Sequence, residues 1–425
     1  MSVNPLSKQL RFITYTTVFM GIVSYGFTAI ATRNLPTTDA ARLLVIWTFL
    51  NILLLIFQFP IESYAPRLEI EVSENKMTRA NLEIFIASYC LMTAVLAISV
   101  ISVVYLTRYS NHITELIAVN SLILSMSLFF IGRAIFVGQG DLKAVARLVG
   151  LLAFIVLIGL SIYVISDINS VEFLVNLFSL SYLLAAFLDA YSNNESWTKK
   201  IRRGELKNAV KAGSRSFVEL NALMLTNAVS LLLLTGGVTL GEYVGVKDEA
   251  MIVYIGLISL AMIPFSILNS ATLAILLSNI EHVRNKHYLK FIRLFRRSAL
   301  VYGGLIVIFS IGALLFSPLA LEIFLGQEYD LNRTQSFWIF ASVGLAVLSA
   351  LPRFLLTSLG VLKKSTPALI ATVVTYVAVL MVMRNGVDGL NGASIIASLL
   401  LFLLSTSVLL RESKVLVLGQ NDNQI

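Results

Sequence analysis

Arg133-Ala-Ile-Phe-Val-Gly-Gln-Gly140-Asp-Leu142-Lys143 and Arg353-Phe-Leu-Leu-Thr-Ser-Leu-Gly360-Val-Leu362-Lys363 are one pattern written twice. Both read R-x6-G-x-L-K, and each matched residue lies 220 positions from its counterpart. Each copy closes one long apolar run and opens the next. An internal repeat of this kind marks a duplicated chain. A second, looser pair runs in the same order: Pro36-Thr-Thr-Asp39-Ala-Ala41 and Val246-Lys-Asp248-Glu-Ala250.

Outward from these anchors the apolar runs are long and regular. A bilayer core about 30 Å thick needs about 20 apolar residues per helix. Runs of that length cover 12–31, 43–64, 83–106, 115–137, 145–166, 171–191, 216–237, 250–279, 298–318, 335–358, 365–384 and 392–410. Twelve transmembrane helices are therefore expected. The first run is too long for the apolar region of a cleavable signal and is read as span one. The eighth holds Pro264, which predicts a kink or a tilt.

Lysine and arginine orient the chain, because cytoplasmic loops carry the excess of positive charge. With the N-terminus inside, 26 of the 32 basic residues fall in cytoplasmic segments and 6 in outer loops. A missed or invented span would scramble that alternation, so N-in/C-in is expected. Spans four and ten then cross in the same direction. The halves are parallel, as in transporter folds that bind substrate where two repeats meet. The predicted organisation is a six-helix lobe over 1–191, a basic cytoplasmic linker over 192–215, a second six-helix lobe over 216–410 and a short tail over 411–425. The linker carries Lys199, Lys200, Arg202, Arg203, Lys207, Lys211 and Arg215. It reads first as a positive-inside anchor, with anionic lipid or a partner enzyme as the functional alternative.

Composition agrees with this class. The 425 residues are 57% hydrophobic and only 13% charged, with a mean hydropathy of +0.84. A soluble chain carries about 25% charged residues. The net charge of +8 would suggest nucleic acid in a soluble protein, but here it sits in short loops, so no nucleic-acid partner is expected. Cys90 is the single cysteine, and His112, His282 and His287 are scattered, so neither a disulfide nor a metal site is expected. No phosphate-binding G-x-x-x-x-G-K-[ST], H-E-x-x-H or G-x-S-x-G motif occurs, so no cofactor and no ATP-driven pump are expected.

Charges inside spans are the informative residues, since each costs several kcal/mol unless paired or wet. Glu62 falls near the inner end of span two, Arg133 and Arg353 one turn inside the inner ends of spans four and ten, Asp189 in span six and Glu219 in span seven. Deeper polar residues are Asn51, Gln58, Asn221, Asn227 and Asn269, with Tyr15, Ser24 and Tyr25 in span one. Together Arg133, Arg353, Glu62, Glu219, Gln58, Asn221, Asn227, Asn269 and Tyr25 are the candidate lining of a polar cavity, with guanidinium groups available to a phosphate. The plainer reading has the arginines snorkel to the cytoplasmic surface while Glu62 and Glu219 pair with Arg67 and Arg215.

Twelve spans in two parallel halves with a basic central linker resemble the MOP flippase superfamily, especially its polysaccharide (Wzx-type) flippases. The local matches are Ser317-Pro-Leu-Ala-Leu-Glu-Ile-Phe-Leu-Gly326-Gln-Glu-Tyr329, Leu355-Leu356-Thr357-Ser358-Leu359-Gly360, and Asn385-Gly386-Val387-Asp388-Gly389-Leu390-Asn391-Gly392-Ala393, together with Gly132–Lys143 in the first half. The resemblance implies an all-α, MATE-like fold and alternating access by two rocking lobes. It further implies a polyprenyl-diphosphate-linked oligosaccharide as substrate, working beside a glycan polymerase or glycosyltransferases in the inner (plasma) membrane. Span one has no acidic residue, which counts against the multidrug branch, where an acid there often handles the coupling ion. It also lacks the central arginines that the lipid II branch uses for diphosphate; Arg33 lies at the outer edge.

Two other classes remain. A membrane-embedded polymerase or ligase would need acids or a histidine at the outer face, where His112, Glu242 and Glu322 are the candidates; the short outer loops count against it. A MATE-like antiporter of small cations would need an acid deep in a cavity, and Glu219 is the plausible one.

Overall fold

The computed structural model describes residues 15–421, except 17–18, 24–25, 28, 32, 74–77, 109–110, 167–169, 193–216, 241–252, 263, 266–287, 326–331 and 384–385. The described chain is α-helical, with one 3₁₀ turn and, among the described residues, no strand. Helices are the expected solution, because hydrocarbon offers backbone N–H and C=O groups no partner outside the segment. Spans three to six are Arg79–Arg108, Ile113–Gly138, Leu142–Ile165 and Val171–Ser192. Spans nine to twelve are Tyr288–Leu325, Arg333–Ser358, Thr366–Val382 and Gly386–Asn421. Among the described residues, these eight are long and apolar enough to cross a bilayer. Span seven is Phe217–Leu240, and Val253–Met262 with Pro264 and Phe265 is the described part of span eight.

Polar residues within spans are largely satisfied by their own helix. Ser99, Ser161 and Thr372 donate their hydroxyls to the carbonyls of Val95, Leu157 and Ala368, four residues back, at 2.8, 2.9 and 2.7 Å. Among the described residues four span starts are capped by side chains. Asp141 accepts from the Ala144 N–H and Asn332 from the Thr334 N–H, both at 3.0 Å, while the hydroxyls of Thr78 and Ser170 accept from the N–H groups of Asn81 and Phe173 at 3.2 and 3.1 Å. Span two is the exception to regularity. It is two helices, Thr37–Phe57 and Phe59–Ser73, separated at Gln58. Pro60 lacks the N–H that would continue the ladder, so the break falls just before it.

The repeated sequence proves to be a repeated helix ending. In the first copy Gly140 N–H donates to Val137 O at 3.1 Å and Asp141 N–H to Phe136 O at 3.0 Å. In the second, Gly360 N–H donates to Thr357 O at 2.9 Å and Val361 N–H to Leu356 O at 3.0 Å. This is the Schellman arrangement, in which a left-handed residue turns the chain out of a helix. Gly140 and Gly360 both have φ of +70°, which explains the glycine. Leu142 and Leu362 are each 2% exposed and pin the following turn, while Lys143 and Lys363 point into solvent.

The chain divides into two compact units, Met1–Leu220 and Asn221–Ile425. In the first, Phe27, Trp47 and Phe178 form an aromatic cluster joining spans one, two and six, with ring centroids 4.6–4.8 Å apart. Gly138 lets span four close on span two, since a Cβ there would sit 3.2 Å from the Cβ of Ala65. In the second unit, Tyr254, Phe265, Tyr302, Ile306, Ile339 and Val343 belong to a core built from spans eight, nine and ten. Around Tyr376, Ala393, Ala397 and Leu401, spans seven, eleven and twelve pack together.

Candidate functional site

The broken span two and the close approach at Gly138 set up the polar cluster of the first unit. Gln58, at the break, donates from its amide nitrogen to the Ser127 hydroxyl of span four. Glu62 lies one turn further along, and Arg133 Nε stands 3.0 Å from its Oε1. Glu62 is fully buried, whereas the Arg133 side chain is 27% exposed and lies 5.7 Å from the centroid of the Phe130 ring. Among the described residues, neither Glu62 oxygen accepts a hydrogen bond of good geometry, and Gln58 Oε1 has no donor. The cluster is therefore charge-matched by Arg133 yet retains three buried acceptor atoms, which native structures normally match with donors.

In the second unit the same repeat position behaves differently. Arg353 is 1% exposed and turns along its own helix. Its Nε donates to Ser349 O at 3.0 Å, one terminal nitrogen to the Ser349 hydroxyl at 3.3 Å and the other to Thr226 O of span seven at 2.9 Å. These partners are neutral. A guanidinium is always charged, so among the described residues a buried positive charge is held here by carbonyl and hydroxyl dipoles. One repeat thus yields a carboxylate-paired arginine in one unit and a dipole-solvated arginine in the other.

The other candidates are dispersed. Asn221 is exposed and Asn227, next to Thr226 in sequence, is half-buried; both lie on span seven. The backbone of Glu219 is helical, but its side chain, like those of Asn51 and Asp189, lies outside the described residues, as do Tyr25, Asn269 and the linker 193–216. Glu62 faces Arg133, a partner that pairing by sequence proximity to Arg67 does not reveal.

Sequence reasoning missed a third cluster, at the opposite end of span four. Glu115 is 1% exposed and takes a two-pronged contact from Arg42 of span two, at 2.6 and 3.1 Å. Asp39 stands 3.0 Å from the same guanidinium, and His112 Nδ1 lies 3.1 Å from Glu115 Oε1. The signal was present as two i,i+3 pairs, Asp39/Arg42 and His112/Glu115, each at a helix start. His112, offered as a candidate outer-face catalytic residue, is engaged here in an ion-pair network.

No family model matches the sequence, and comparison with curated proteins finds no match. Solved structures do match over nearly the whole chain. A MATE transporter in complex with MaL6 superposes with a TM-score of 0.75 at 12% identity, covering 97% of both chains. The outward-facing conformation of a multidrug resistance MATE family transporter of the MOP superfamily gives 0.72 at 12% identity and the same coverage. The Vibrio cholerae MATE transporter VcmN in its bent form gives 0.65 at 12% identity, covering 97% of this chain and 98% of that one. The fold of this multi-pass membrane chain is that of the MATE transporters.

Proposed function

We propose that the protein is a transporter of the cytoplasmic membrane that works by alternating access, and that its cargo is a polyprenyl-diphosphate-linked oligosaccharide for surface polysaccharide. The observation that carries the transport reading is the likeness, along 97% of the chain, to transporters solved outward-facing and in straight and bent conformations. Those neighbours are transporters rather than enzymes, which speaks against the polymerase or ligase.

The charge inside the spans supports the cargo. Among the described residues the fully buried charged side chains are Glu62, Glu115 and Arg353. Both acids are matched by arginines, and Arg353 has neutral partners, so the charge left over is positive. A positive interior favours an anion such as a diphosphate over a cation. The spare acceptors at Glu62 and Gln58 suit donors, and sugar hydroxyls are donors. A second reading, a MATE-like antiporter of small cations, is favoured by the multidrug neighbour and by the buried carboxylate of Glu62.

Deletion in the native host separates these readings. Flipping predicts that full-length lipid-linked repeat units accumulate facing the cytoplasm while surface polymer is lost. Unpolymerised units appearing in the outer leaflet would identify a polymerase. Unchanged glycan with reduced efflux of a cationic dye would establish the antiporter.

A further inference from the structure

Span nine is longer than a membrane requires. Its helix, Tyr288–Leu325, has 38 residues, about 57 Å at 1.5 Å per residue, against a hydrocarbon core of about 30 Å. It is also the least buried of the eight spans. Its rotation about its own axis is fixed: Phe291, Phe295, Ser298, Tyr302 and Ile306 are buried in the second unit. The opposite face is exposed along its whole length, basic at its start and apolar through its middle. From Leu300 to Leu319 it is apolar, with Leu300, Val301, Val307, Ile308, Ile311, Leu315 and Leu319 exposed at helical spacing, and the exposed Glu322 follows at the far end. Before Leu300 the same face presents Lys290, Arg293, Arg296 and Arg297, all four exposed.

The apolar part, from Leu300 to the exposed Leu319, spans about 29 Å, close to the thickness of the hydrocarbon. The cationic part, from Lys290 to Arg297, adds about 10 Å, enough to reach through the polar headgroup layer, which is about 5–8 Å deep at each membrane face. One helix face therefore meets lipid chains along most of its length and four positive charges where those chains end in phosphates. The equivalent helix of the first unit is built otherwise. Span three begins at Arg79, whose guanidinium is bound to Glu69.

We propose that Lys290, Arg293, Arg296 and Arg297 form a binding surface for the phosphate headgroups of anionic phospholipid in the inner leaflet, so that a shell of anionic lipid is held along span nine. Lysine and arginine side chains reach the headgroup plane while their stems lie on apolar surface, and clusters of this size just inside a span attract anionic lipid. The surface is independent of the cargo and would stand if the transporter carried something else.

The test uses the full chain, purified in neutral detergent and titrated with cardiolipin or phosphatidylcholine under native mass spectrometry. Wild type should retain cardiolipin in preference to phosphatidylcholine, and K290Q/R293Q/R296Q/R297Q should bind cardiolipin at least about tenfold more weakly. R293K/R296K/R297K keeps the charge and should retain the lipid, and Arg79→Gln should leave retention unchanged. Raising salt on the wild-type chain should release cardiolipin, as the screening length falls from about 10 Å at 0.1 M to about 3 Å at 1 M; this arm decides the matter if the glutamine variant fails to accumulate. Equal retention of both lipids by wild type, full retention by a folded glutamine variant, or indifference to salt would each overturn the proposal. Retention of undecaprenyl diphosphate through these residues without retention of cardiolipin would overturn it too, and assign the stripe to cargo capture.

Discussion

Glu62 and Arg353 are both charged and both buried, and they are stabilised by different means. Glu62 relies on one guanidinium 3.0 Å away, so removing Arg133 strands a carboxylate in a low-dielectric interior. Arg133→Gln should lower the apparent Tm of the purified protein. Adding Glu62→Gln should recover most of the loss, with a coupling of about 1–3 kcal/mol in the double-mutant cycle. Additive losses would mean that the pair does not interact. Arg353 relies on the carbonyls of Ser349 and Thr226, which have helical partners without it. Arg353→Met keeps the volume and removes the charge, so it should accumulate in the membrane near wild-type level while transport falls at least about tenfold. Arg353→Ala also opens a cavity and should reduce the amount of folded protein. Normal transport by Arg353→Met would make the buried charge structural only.

At the scale of the element, the decisive feature is how spans four and ten end. The left-handed φ of +70° at Gly140 and Gly360 costs an L-residue about 1–2 kcal/mol. Nothing lies within 4 Å of a Cβ added at Gly140, so the penalty there is backbone strain without a clash. Gly140→Ala should therefore destabilise the first unit by about 1 kcal/mol, and Gly140→Asn by less, because asparagine tolerates this region better. Thermal unfolding of the two variants checks the order. The reverse order would place the cost in packing. Span two shows the opposite device. Pro60 breaks the helix beside Gln58, which turns a helix defect into the floor of a polar cluster.

For the whole molecule, the distribution of positive charge predicts both termini on the cytoplasmic side. Cysteine labelling can test this with little background, because Cys90 is the single cysteine and is buried. Thr334→Cys, exposed at the start of span ten, should react with a membrane-impermeant maleimide added to intact cells. Lys363→Cys, exposed just after the span ends, should react only once the membrane is opened. The opposite pattern would invert the topology and move the anionic-lipid surface of span nine to the outer leaflet.

Hydrophobic run length and the 220-residue repeat were enough to read an all-α membrane protein of two related halves, because spanning hydrocarbon leaves the backbone only helices or a closed barrel and apolar runs of about 20 residues declare helices. The same cannot be said of the polar residues. Arg133 and Arg353 are indistinguishable in sequence, occupying one position of one repeated motif, and what separates them is what neighbouring helices bring alongside. Span two supplies a carboxylate to Arg133, and span seven supplies a carbonyl to Arg353. The partner of Glu62 is 71 residues away, and that of Glu115 is 73. Sequence proximity sees only i,i+3 and i,i+4 neighbours on one helix, so pairings across helices belong to tertiary packing. Composition and periodicity determined where the chain enters the membrane; only the packing of helix on helix decided which of its buried charges are neutralised.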